Sequence, residues 1–367
     1  MLKEKGNLNL IQVLRGVASL LVVLLHTTVN SKEILNRDFC LNIFSFGGSG
    51  VDIFFVLSGF IITYTSLKGL AQPGKLLSFL RRRFVRIFPT YWIIITLFVL
   101  IQVALPSFYK THYSFTVSNI CSTLFLLPGH VMVNGVSWTL SYELFFYILF
   151  SLAFLLPNKK LAFTLSMLYA LVIIVLPFLG YDFENGNRWM NLLTYPMNVE
   201  FFMGVLAAIL IPRIPPGFSL PLMIMGGFLF LAGGIFTDQQ LRLLPGTFNR
   251  VVLFGIPSFL IITGLVKFEL SKNITVHNIL LSLGEASYSL YLLHLPVIVA
   301  CMKIIAKFNI HNNFILHGLL LFMIVIICYA SILFFKWVEK PIISKLNKSN
   351  KTKMTLVAGT KANGHGS

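Results

Sequence analysis

Ionisable side chains within or at the edge of long apolar runs supply the candidates for chemistry in this sequence: Arg15, His26, Asp52, Glu143, Glu200, Glu285 and His294. An ionisable group in hydrocarbon costs about 3 kcal/mol or more, so each is a candidate for function. Arg15 and His26 share one run and are 11 residues apart. On a helix that spacing is three turns and about 20°, so both point from nearly one face, about 16 Å apart along the axis. A guanidinium suits an anionic ligand, although it can also snorkel to headgroups. An imidazole can take up or release a proton near neutral pH. Asp52 follows Gly47-Gly48-Ser49-Gly50; a carboxylate there also suits a helix N-terminus, and the glycines suit close packing. Glu143 closes Ser137-Trp138-Thr139-Leu140-Ser141-Tyr142-Glu143, one to two turns into its run, and Glu200 lies similarly deep. Arg83 and Arg86, in Arg81-Arg82-Arg83-Phe84-Val85-Arg86, face the same way on a helix. Their guanidinium forks fit phosphates, but basic residues also anchor cytoplasmic loops, and the pattern leaves both roles open. His294, in Tyr288-Ser289-Leu290-Tyr291-Leu292-Leu293-His294, is as compatible with packing as with chemistry. His112 and His130 read as solvated loop residues. No zinc motif, P-loop or dinucleotide fingerprint occurs, so no metal is expected.

The elements that must hold these residues are membrane helices. Of 367 residues, 56% are hydrophobic and 11% charged, with a mean hydropathy of +0.83. Soluble domains carry about 25% charged residues. Runs near 8–28, 50–66, 89–105, 138–157, 161–179, 195–211, 219–236, 248–266, 286–305 and 314–335 predict an all-α, polytopic protein in the lipid bilayer with about ten transmembrane helices. The stretch 114–128 is too short and polar for a span and is expected to lie at the interface or dip inward. The first run is too long for a signal peptide, is interrupted by Arg15 and lacks a cleavage site, so it reads as a retained helix. Cys40, Cys121, Cys301 and Cys328 show neither metal-ligand spacing nor a disulfide framework.

The net charge of +17 invites a nucleic-acid partner, but its distribution argues against one. With the N-terminus in the cytoplasm, 20 lysines and arginines fall in inner segments and 8 in outer ones, as the positive-inside rule demands. An even number of spans then puts both termini in the cytoplasm, with the loop 68–88. Trp92, Trp138, Trp189 and Trp337 fall at or near expected span ends, where indoles anchor. Residues 1–346 form one membrane domain, and 347–367 read as a polar, lysine-rich, disordered tail. This topology gathers His26, Asp52, Glu143 and Glu200 in the outer half and Arg15, Arg83 and Arg86 at the inner side.

Six segments in order carry a family resemblance. They are Arg15 with His26, Gly50-Val51-Asp52-Ile53-Phe54-Phe55-Val56-Leu57-Ser58-Gly59-Phe60, and Arg83-Phe84-Val85-Arg86-Ile87-Phe88-Pro89-Thr90-Tyr91-Trp92. The others are Ser137 to Glu143, Tyr288 to His294, and Glu339-Lys340-Pro341. From about Leu10 to Pro341 the chain resembles the acyltransferase-3 family of integral membrane O-acyltransferases, most closely the branch that acetylates bacterial exopolysaccharides. The resemblance implies transfer of an acyl group, usually acetyl, from cytoplasmic acyl-CoA (acetyl-CoA) to a sugar hydroxyl at the outer face of the inner (cytoplasmic) membrane. It maps the family's Arg-to-His pair onto Arg15 and His26, its Arg-x-x-Arg onto Arg83 and Arg86, and its Trp-to-Glu motif onto Trp138 and Glu143. Some relatives carry a fused extracytoplasmic hydrolase-like domain; this chain is expected to be a stand-alone form.

The expected mechanism follows. Acyl-CoA binds with its phosphates near Arg83 and Arg86 and its pantetheine arm passing Arg15. His26 takes the proton of a sugar hydroxyl, Glu143 or Asp52 orients the ring, and Trp138 contacts the carbohydrate acceptor. A transporter or flippase of a glycan or lipid precursor is the alternative, but the internal repeats with paired broken helices common in transporters are not found. A non-catalytic scaffold leaves the shared face of Arg15 and His26 without a reason.

Overall fold

The computed structural model describes residues 8–104, 116–128, 132–181, 187–236, 248–272 and 274–348. The loop residues His112 and His130 and the tail from 349 onward lie outside these. Every regular element among the described residues is helical: α1 (Asn9–Leu35), α2 (Gly50–Ser66), α3 (Leu76–Ala104), α4 (Val117–Phe125), α5 (Trp138–Ser151), α6 (Lys159–Val175) and α7 (Arg188–Thr194). They continue with α8 (Asn198–Leu210), α9 (Ser219–Phe236), α10 (Ile256–Ser271), α11 (Asn278–Glu285), α12 (Ser287–Ala306) and α13 (Asn313–Phe334). Short 3₁₀ and π turns extend several of them. Ten of the resulting helical stretches are long and apolar enough to cross a membrane. The protein is a multi-pass membrane protein.

All ten expected runs lie on such stretches, but several stretches are longer than hydropathy suggests. α3 starts at Leu76 and continues through Pro89, so Arg81, Arg82, Arg83 and Arg86 sit on the helix and not in a loop. Arginine and leucine are good helix formers, and a proline in a membrane helix is tolerated where neighbours satisfy the freed carbonyl. This start also moves Trp92 to mid-helix, away from any span end. Its indole N–H donates to the Leu124 carbonyl (2.9 Å), and the Tyr91 hydroxyl donates to that of Thr123 (2.7 Å). The two bonds hold the short α4 back against α3.

The interior is built by helices that approach closely. In lipid, apolar surface gives little drive for helices to associate, so tight packing and hydrogen bonds must do so. The stretch carrying α2 is 72% buried, against 17% for that of α6. α2 and α8 cross at Gly59 and Gly204, where an added Cβ would fall 1.9 Å from the Phe201 carbonyl oxygen and 2.0 Å from that of Val56. Phe201 is stacked between Phe55 and Phe146 at centroid distances of 4.4 and 4.5 Å. By contrast, α6, α9 and α13 carry rows of exposed leucine, isoleucine, valine and phenylalanine, as lipid-facing helices do.

Two faces bound the bundle. At the amino-terminal face Glu269, near the end of α10, accepts the N–H groups of Asn9 (2.5 Å) and Leu10 (3.0 Å) and so caps α1. At the far face Lys32 pairs with Asp38 (3.1 Å), and Arg37 donates to Asn313 (3.3 Å). Between them, the chain after α1 descends as a 3₁₀ segment, Cys40–Ser49, and α2 begins only where Gly50 meets the Ala18 carbonyl. That depth governs which residues can meet.

Candidate active site

A cavity of about 470 Å³ opens among α1, α2, α3, α5 and α12. Gln12 and Arg15 come from α1, Ser58 and Thr65 from α2, and Arg82, Arg83 and Arg86 from α3. Glu143 and Tyr147 of α5 and Ser287, Tyr288 and Tyr291 of α12 complete the polar wall. Exposed Thr65, Arg82 and Asn347 mark its end at the amino-terminal face. Four guanidinium groups thus share the wall with one carboxylate, and no ion pair joins them among the described residues.

Arg15, Arg83 and Glu143 are held by local contacts with uncharged neighbours. Arg15 Nη1 donates to the Gln12 side chain, one turn earlier on α1 (3.0 Å). The Arg83 guanidinium lies 5.4 Å from the ring centres of both Phe79 and Tyr147, and its Nε has no partner among the described residues. Glu143 accepts from Ser58 (3.0 Å) and from the Tyr147 hydroxyl. Beside the cavity a further carboxylate, Glu339, is fully buried and accepts from Ser289 (2.5 Å). Forks held by neutral partners keep donors free for an anion.

The structure therefore separates residues that the sequence reading grouped. Glu143 stands in the cavity with Arg15, Arg83 and Arg86, away from His26. Asp52 is elsewhere again, fully buried in a fork-to-carboxylate pair with Arg250. Nη2 of Arg250 donates to Oδ2 at 2.7 Å, Nε to both oxygens at 3.1 Å, and Nη2 also to the Gly48 carbonyl at 2.5 Å. Glu200, also fully buried, lies beside this pair. The reason is depth: Ala18, where α2 starts, is eight residues from His26, about 12 Å along α1. Neither Asp52 nor Glu143 hydrogen-bonds His26 among the described residues. Trp138 is not on the cavity wall and packs edge-on to Tyr142 (5.8 Å) and Tyr195 (6.1 Å). Glu285, at the end of α11, is exposed.

His26 meets a different neighbour. Its ring centre lies 5.1 Å from that of His294, which is fully buried. His294 is in turn 5.8 Å from the ring of Tyr291, on the inner wall of the cavity. The Tyr291 hydroxyl donates to the Val136 carbonyl (3.1 Å) and sits 2.9 Å from Thr139 Oγ1. A row of rings thus runs from the cavity to His26. The sequence reading missed Arg250 as the partner of Asp52 and His294 as that of His26. The signals were present: Arg250 opens an apolar run, and His294 lies deep within one.

An arginine-lined cavity, entered from one face of a ten-span bundle, is thus connected by a row of rings to a partly exposed histidine. The chain matches the model of the acyltransferase domain family Acyl_transf_3 over residues 8–334 and belongs to that family of membrane acyltransferases. Among curated proteins it is 28% identical over 265 residues to "Exopolysaccharide production protein ExoZ" of Rhizobium meliloti (strain 1021), covering 68% of this chain and 76% of that one. It is 26% identical over 286 residues to "Acyltransferase MdmB" of Streptomyces mycarofaciens, covering 70% of each. No solved structure matches it.

Proposed function

We propose that this acyltransferase moves an acetyl group from cytoplasmic acetyl-CoA to a sugar hydroxyl of an exported glycan, from a site in the inner membrane with both termini cytoplasmic. The observation that carries this reading is the cavity with four arginines against one carboxylate, at the end of the bundle where the basic loops gather. Arg82, Arg83 and Arg86 bind the CoA phosphates, for which their forks are suited. The pantetheine arm extends past Arg15 towards Tyr291, and the thioester must pass the level of Tyr291 to reach His26. Glu143 limits repulsion among the arginines while its bonds to Ser58 and Tyr147 fix its own position. Asp52, bound by Arg250, holds the start of α2 in register with α1.

In the chemical step a ring nitrogen of His26 takes the hydroxyl proton as the oxygen attacks the thioester carbonyl. A C–O bond forms, the C–S bond breaks, and the thiolate of CoA regains a proton from the imidazolium. His26→Ala should abolish acetylation while acetyl-CoA binding persists, and His26→Gln should not rescue, because an amide is no base. Mass analysis of the whole-cell glycan is the measurement. Loss of acetyl-sized increments alone supports the enzyme, whereas loss of the entire glycan points to transport. A cysteine at position 75, in a cysteine-free background, should resist impermeant label on intact cells; strong labelling would reverse the orientation.

A further inference from the structure

His294 lies outside the donor cavity and touches none of its charged groups, yet the fold buries it completely. Its Nδ1 lies 3.1 Å from the Leu290 carbonyl oxygen, one turn earlier on α12. A carbonyl can only accept, so Nδ1 carries the hydrogen. A neutral imidazole has a single N–H; Nε2 is then a lone-pair acceptor, and it has no partner among the described residues. A buried acceptor left unpaired costs about 1–3 kcal/mol, an arrangement that persists when a use compensates it. The ring next to it is His26, partly exposed and with a centroid 5.1 Å away.

No hydrogen bond joins the two rings at their present 41° tilt; we propose that a turn of the partly exposed His26 ring lets His294 accept its single N–H through Nε2, which makes His294 the positioning residue for His26. This rests on the reading of His26 as the base. Donation of the one N–H of His26 to His294 leaves the other ring nitrogen as a lone pair, directed to where the hydroxyl proton must be taken. When His26 becomes an imidazolium, the same bond becomes charge-assisted. His294 thereby does what a carboxylate does behind the histidine of a hydrolase triad, without adding a negative charge to a membrane interior where the donor is itself an anion. Its own tautomer is set by helix geometry alone, since the residue four positions earlier always offers its carbonyl to that side. The acceptor is thus the same whether the donor is bound or absent.

Two substitutions separate positioning from packing. Gln presents an amide oxygen where Nε2 stands; Asn presents an amide N–H where Nδ1 stands and restores only the bond to Leu290. Inverted membrane vesicles from expressing cells, supplied with labelled acetyl-CoA, report label incorporated into extracted glycan, normalised to folded protein. His294→Asn should lower the maximal rate about 100-fold with the apparent KM for acetyl-CoA within twofold of wild type. His294→Gln should stay within about tenfold of wild type. A rate for His294→Asn equal to or above that of His294→Gln overturns the proposal, as does a rate within threefold of wild type for both. If His26→Ala is inactive in the same vesicles, such a result removes the positioning role alone; an active His26→Ala removes the mechanism beneath it.

Discussion

Two charged regions lie within this bundle, and they treat their charges in opposite ways. The Asp52–Arg250 pair is saturated: three short contacts join fork to carboxylate, a fourth reaches the Gly48 carbonyl, and both side chains are buried. The arginine-lined cavity keeps Arg15, Arg82, Arg83 and Arg86 unpaired with its one carboxylate. A buried ion pair fixes geometry at little net gain in stability, whereas guanidinium groups with donors to spare can take an anion. Burial and charge alone do not distinguish structure from function here. The distinction lies in whether the hydrogen-bonding capacity is already spent.

The comparison breaks most readily at Arg250. Arg250→Ala leaves Asp52 buried without its partner beside a second carboxylate, and should cost about 3–5 kcal/mol. Loss of monodisperse protein in detergent, or a thermal midpoint lowered by many degrees, is the expected readout; Asp52→Ala should cost less, because Glu200 still faces the guanidinium. Combining Asp52→Leu with Arg250→Met, which removes both charges, should restore most of the stability. A stable Arg250→Ala would mean that the pair does not hold α2.

The cavity should respond in the other sense. Arg83→Ala with Arg86→Ala should leave the thermal midpoint of the empty protein near that of wild type. Acetyl-CoA should bind at least roughly 100-fold more weakly, at about 1.5–3 kcal/mol for each of the two charged hydrogen bonds lost. Lysine at both positions should recover part of that, since it keeps the charge but not the fork. Unchanged donor affinity in the alanine variant, measured by calorimetry, would return these arginines to a topological role. The smallest effect is expected at Glu143. Glu143→Gln retains an oxygen for Ser58 and Tyr147, so the fold should persist while the transfer rate falls about tenfold at saturating donor. A rate equal to wild type would make the carboxylate's charge dispensable.

Sequence alone determined the membrane architecture, because hydrocarbon imposes a length and a polarity that each run of residues satisfies or fails by itself. The helical phase of Arg15 and His26 was equally local, and both adjoin residues of α12: Arg15 lines the cavity with Ser287, and His26 meets His294. The motif Arg83-Phe84-Val85-Arg86 could be read as a two-pronged cation before its position was known, although hydropathy began the helix too late and left the motif in a loop. What tertiary structure decided was depth. Hydropathy treated the start of each apolar run as the membrane surface, so Asp52, Glu143 and His26 were assigned to one level. The 3₁₀ descent from Cys40 to Ser49 sinks the start of α2 to Ala18, and α5 carries Glu143 to the level of Ser58. The offset between antiparallel helices is set by where glycines let backbones touch, a property of pairs of helices that no single run encodes. For the same reason Arg250, counted as a loop charge, became the partner of Asp52, and His294 became the neighbour of His26.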